Sequence, residues 1–64
     1  MGEKRVIAVH DLVLDKALPT VTIPKGTVCA VEDVMENWVI LRMADGSSCM
    51  ADIPTFEIGF AAYA

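Results

Sequence analysis

Between Val21 and Val34 the chain reads VTIPKGTVCAVEDV. Proline has a fixed φ and no backbone N–H, so a strand ends or lies at an edge at Pro24. Gly26 takes positive φ at little steric cost. Pro24-Lys25-Gly26 therefore predicts a sharp turn into a strand that starts at Thr27. Pro19-Thr20 marks the other end of the short extended piece before it. Glu36-Asn37 interrupts a long apolar run, and Asp45-Gly46 predicts a type I′ hairpin turn with both central residues at positive φ. Between the turns lie runs rich in Val, Ile and Thr, which predict strands. They are Arg5–Leu14, Thr27–Val34, Trp38–Met43 and Ser48–Ile53, followed by an apolar tail over 56–63.

The third run alternates most clearly. Trp38, Ile40 and Arg42 share one face, and Val39, Leu41 and Met43 the other. Apart from Arg42 both faces are apolar, so both are expected to be covered. The stretch 27–35 reads two ways. Val28, Val31 and Val34 also follow helical spacing, and Thr27 is a helix-capping residue. Its β-branched valines favour a strand, in which a bulge would account for the spacing of three.

A long first strand, a loop closed by Pro-Lys-Gly, and a meander through two hairpins resemble the SH3-like barrels. The order of strand, loop, PKGT, strand, short turn, strand, Asp-Gly turn and strand covers most of the chain. It is similar to small bacterial SH3-like proteins and to KOW-type modules. Cys29 stands where KOW-type sequences often carry a second glycine. The resemblance implies an all-β fold, a single SH3-like barrel of about five short antiparallel strands over 1–64, acting as a non-catalytic binding or assembly module.

Size and composition bear on partners. At 64 residues the chain is one domain at most, and domains this short are marginal on their own. Yet 55% of the residues are hydrophobic and the mean hydropathy is +0.50. Burial of some apolar surface against a second copy resolves the conflict and points to a homo-oligomer. The net charge of −4 argues against nucleic acid, which requires phosphate neutralisation, and an acidic chain gains little from an anionic membrane. The opening MGEKRVIAVHD lacks an apolar stretch of signal-peptide length, and no apolar run reaches the roughly 18 residues of a membrane span. The expected setting is cytoplasmic, where Cys29 and Cys49 read as reduced core thiols. On strands flanking the third run, their backbones would lie about 9–10 Å apart, too far for a disulfide. With one histidine, His10, the chain lacks a four-ligand zinc set, and no cofactor is expected.

The candidate binding residues are Trp38, Arg42, Lys25, Glu32 and Asp33. Trp38 begins a strand beside a turn, where an aromatic could anchor a peptide as in the SH3 grooves that read proline-rich ligands. Arg42, the one charge in an apolar strand, would pair with Asp33, Asp52 or Glu57, or contact a carboxylate or phosphate. Glu32, Asp33 and Glu36 form an acidic cluster at the second turn, suited to a basic partner. Lys25 lies in the loop Leu18–Gly26, a further contact region. His10 and Asp11, adjacent on a strand, should point apart. Phe56, Ile58, Phe60 and Tyr63 either close the chain's own barrel as a last short strand or form an interface with another copy. A different class of function is a small-molecule binder or enzyme whose site forms between subunits, as in the type II dihydrofolate reductases that the architecture resembles. Their Gln-Ile-Tyr run has no counterpart here; the nearest position reads Met50-Ala51-Asp52-Ile53-Pro54.

Overall fold

The computed structural model describes residues 3–64. Seven short strands and one helix follow in the order β1 (Arg5–Ala8), β2 (Leu12–Leu14), β3 (Val21–Ile23), β4 (Val28–Val34), β5 (Trp38–Arg42), β6 (Ser48–Asp52), α1 (Ile53–Gly59) and β7 (Phe60–Ala62). Five strands form an antiparallel sheet in the order β6-β5-β4-β1-β7, and β2 and β3 form a separate two-stranded ribbon. The fold is therefore mostly β and antiparallel, in two sheets rather than one closed cylinder. No helix among the described residues is long and apolar enough to cross a membrane.

The predicted first strand, Arg5–Leu14, is two strands. The chain breaks at Val9-His10-Asp11, and the two halves join different sheets. The break is held by hydrogen bonds from elsewhere. The Ala8 N–H donates to the Thr27 carbonyl, and the Val9 N–H to the Gly59 carbonyl, both at 2.9 Å. The Asp11 carboxylate accepts the Lys25 N–H at 2.8 Å. His10 does not pair with the Asp11 carboxylate; its Nδ1 lies 3.2 Å from the Asp11 carbonyl.

The Pro24 turn forms as its composition requires. Gly26 has φ +89°, and the Thr27 N–H closes the turn on the Pro24 carbonyl at 3.1 Å. This is a type II arrangement, in which the third residue needs positive φ. Thr27 caps no helix, because its hydroxyl donates to the Pro24 carbonyl at 2.7 Å. The stretch that follows is a strand, and its register shifts between Val31 and Asp33 against β5. That bulge accounts for the helix-like spacing of the valines.

The β5–β6 turn differs from expectation. Gly46 has φ +90°, but among the described residues no non-glycine residue has positive φ, so Asp45 does not complete a type I′ turn. The Gly46 N–H bonds the Met43 carbonyl at 3.0 Å and the Met43 N–H bonds the Ser47 carbonyl at 2.7 Å. A three-residue loop with one glycine in the left-handed region satisfies both. Asp45 instead accepts the Ser47 N–H at 2.9 Å and its hydroxyl at 2.6 Å.

The core draws Val6 and Ala8 from β1, Leu12 and Leu14 from β2, and Ile23 from β3. Cys29, Val39, Leu41, Cys49, Ala51 and Phe60 complete it. On β5 the burial alternates, with Val39 and Leu41 inside. The other face, carrying Trp38, Ile40 and Arg42, is only half covered, contrary to the expectation that both faces are buried. The apolar tail holds the helix that the run pattern missed. Pro54 lies in its first turn, and the Phe60 N–H ends it by donating to the Phe56 carbonyl. Phe60 then enters the core, and β7 pairs with β1 through Val6↔Ala62, Ile7↔Ala61 and Ala8↔Phe60.

Candidate functional site

The half-covered face of β5 carries two separate constellations, one at each end. Trp38 and Arg42 begin and end the strand, and at about 3.3 Å per residue their backbones stand roughly 13 Å apart.

At the Trp38 end, three pieces of chain converge. The hairpin turn supplies Glu36 and Asn37, and the start of α1 supplies Ile53 and Pro54. Asp52 lies directly opposite Trp38 in the β5–β6 register. The Ile53 N–H donates to the Asn37 carbonyl at 3.2 Å, which ties the start of the helix to the hairpin. Lys16 reaches in from the β2–β3 connection. Together these side chains line an open groove of about 650 Å³. Its apolar part is Trp38, Ile53 and Pro54, and its carboxylates are Glu36 and Asp52. The Thr55 hydroxyl donates to Asp52 at 3.0 Å. That hydrogen bond leads the causes that hold the Asp52 carboxyl below the ordinary range, so it is ionised at neutral pH.

At the Arg42 end, the guanidinium pairs with Glu3 and lies 3.8 Å from Glu32. Asp33, Asp52 and Glu57, the partners expected from sequence, are not the ones it meets. The Glu3 hydrogen bond is the largest influence raising its pKa further. Glu32 also accepts the Ser48 hydroxyl at 2.7 Å. The bulge explains why Glu32 reaches this face, since the extra residue in β4 puts it beside Arg42 while the register sets Asp33 opposite Ile40. These are exposed pairs, worth little to stability.

Of the five binding candidates, Arg42 and Glu32 therefore meet. Asp33 is a neighbour on the same sheet, Trp38 belongs to the other groove, and Lys25 sits apart in the Pro24 turn. Among the tail residues, Phe56 and Phe60 stack with ring centroids 5.4 Å apart. Ile58 is 72% exposed, and the Arg5 guanidinium sits 5.3 Å from the Tyr63 ring centroid. Cys29 and Cys49 are buried and unpaired. Among the described residues, no group of three or more His, Cys, Asp or Glu side chains is placed to hold a metal ion.

Sequence reasoning missed Lys16, Asn37, Asp52, Ile53 and Pro54 as partners of Trp38. Asp52 followed two residues later by Pro54 is a helix-start signature that would have placed a helix against the hairpin. No family model, curated protein or solved structure matches this chain.

Proposed function

We propose that the chain is an SH3-like, non-catalytic binding module that takes an extended, positively charged peptide segment in the Trp38 groove. The observation that carries this reading is the groove's make-up: the half-buried Trp38, with Ile53 and Pro54, and two carboxylates, Glu36 and Asp52, in its lining. Aromatic-lined grooves favour extended, proline-containing segments, whose bound shape is largely preformed. Glu36 and Asp52 add attraction for Lys or Arg on the ligand, which speeds encounter and fixes register. The SH3-like reading is supported by the meander β4-β5-β6 and by the last strand, which returns to pair with β1. The expected cytoplasmic setting fits two unpaired thiols.

Assembly with further copies is part of the same reading. Its support is apolar surface on several elements: Val13 at 56%, Leu18 at 90% and Ile58 at 72% exposed.

The test is an NMR titration of isotope-labelled chain with a proline-rich peptide carrying arginines, beside a peptide in which the arginines are glutamates. Shifts confined to the Trp38 indole, Asn37 and Ile53, with the first peptide only, are the expected result. An unperturbed indole with the arginine peptide, or equal shifts with both, would overturn the proposed site.

A further inference from the structure

Three sulfur atoms meet where β4, β6 and the β5–β6 loop come together. Cys29 Sγ lies 3.7 Å from Met43 Sδ, and Cys49 Sγ lies 3.9 Å from the same atom. Neither thiol is in a disulfide. The chain's only two cysteines thus stand against one thioether, although they come from strands on opposite sides of β5.

The spacing suits a metal. Sulfur ligands sit about 2.3 Å from a bound d10 ion, which puts three of them around one ion about 4 Å from each other. Both thiol–thioether separations already have that length. The donors are all soft, and soft thiolate and thioether ligands suit Cu(I), zinc and iron–sulfur centres. Zn(II) prefers four ligands, and among the described residues no group of three or more His, Cys, Asp or Glu side chains is placed to hold one.

The surroundings supply access. Cys29 and Met43 line a groove of about 320 Å³ that also carries Glu3, Arg5 and Arg42. Cys49 lines a second, smaller groove beside Leu18, Pro19 and Val21. The first groove opens from Cys29 and Met43 to solvent beside the Arg42–Glu3 pair. Two thiolates and one Cu(I) leave a net charge of −1, and of the groove's two arginines Arg42 is already paired with Glu3.

We propose that Cys29, Cys49 and Met43 form a three-sulfur binding site for Cu(I). Binding forms two thiolate–copper bonds and one thioether–copper bond, and releases two S–H protons to solvent. Burial holds both thiols above their ordinary pKa, with Cys49 adding to the effect at Cys29. In the absence of metal the cysteines are therefore protonated, apolar core residues, and the ion must displace those protons.

The experiment is an anaerobic titration of the full chain into the coloured Cu(I)–bicinchoninate complex, with X-ray absorption on the product. The expected result is transfer of one Cu(I) per chain and three sulfur neighbours at about 2.3 Å. Cys29→Ser and Cys49→Ser should each lose the transfer. Met43→Leu keeps the apolar volume and hence the fold, which near-UV circular dichroism checks, and should weaken binding by about tenfold or more. No transfer to the wild-type chain would overturn the site. So would equal transfer to a folded Met43→Leu chain, or a copper centre with only two sulfur neighbours.

Discussion

Leu12 and Gly59 pack so closely that a Cβ added to Gly59 would lie 2.7 Å from both terminal methyls of Leu12 and 3.2 Å from its Cγ. Any side chain at Gly59 would therefore force the buried Leu12 side chain to shift, at the point where the Val9 N–H bonds the Gly59 carbonyl. Gly59→Ala should destabilise the fold by about 1–3 kcal/mol, the usual cost of overpacking a filled core. Urea unfolding followed by tryptophan fluorescence measures it. An unchanged midpoint would mean that Leu12 swings aside freely.

Gly26 presents a different constraint. Nothing stands within 4 Å of its would-be side chain, but its φ of +89° is unfavourable for any residue with a Cβ. Gly26→Ala should cost about 1–2 kcal/mol through backbone strain alone. Gly26→Asn should recover part of it, since asparagine tolerates the left-handed region best among the others. Equal stability of the alanine and asparagine variants would refute this account.

The Asp52–Thr55 pair predicts a pH effect with a definite sign. The folded-state pKa of Asp52 is lowered, chiefly by the Thr55 hydroxyl. Its contribution is complete above the ordinary carboxylate range near pH 4 and is lost as pH falls through the depressed folded value. Thr55→Val should move the Asp52 titration upward towards that range and reduce the acid-side loss. Carbon-detected NMR of the carboxyl groups reports both, and an unmoved Asp52 titration would show that the hydroxyl is not the cause.

In the core, Leu41 is fully buried on β5, an inner strand of the sheet. Leu41→Ala should cost about 2–5 kcal/mol. For so small a domain that is much of the total stability, and the variant should show a partly unfolded amide spectrum at 37 °C. A native spectrum at that temperature would mean that the site collapses onto the smaller side chain.

The proposed assembly needs a probe that spares the fold. Cutting the chain after Thr55 removes Phe60 and β7, so it should unfold the sheet rather than merely separate copies. Ile58→Asp changes an exposed position and should leave the monomer intact. Light scattering on a sizing column at several concentrations should show the wild-type mass falling to that of one chain in Ile58→Asp. A wild-type mass of one chain throughout would sink the assembly proposal.

How much of this was legible in the residues depends on the scale of the cause. Pro24 and Gly26 act through their own φ preferences, so their turn was readable; over 27–35 the valines favoured a strand but their spacing left a helix open. The alternation on β5 was readable, but both of its faces were expected to be covered, and only the face of Val39 and Leu41 is buried. The break at Val9-His10-Asp11 was not readable, because its causes are Thr27, Gly59 and Lys25, all distant in sequence. The helix Ile53–Gly59 hid in an apolar tail whose aromatics suggested a strand. At the candidate site, Trp38 was visible as an aromatic beside a turn. Its neighbours came into view only with the register that sets Asp52 across from it and the helix that brings Pro54 alongside.

The sheet order has a consequence for synthesis. β1 emerges first from the ribosome, yet it lies between β4 and β7, so one of its edges waits for the end of the described chain. A nascent chain released only as far as Asp52 has every other sheet pairing but lacks Phe60 in its core. At 5–20 residues per second, α1 and β7 follow after roughly a second. Throughout that interval the nascent chain presents a bare strand edge beside an apolar hole, a surface suited to a chaperone or to another unfinished copy.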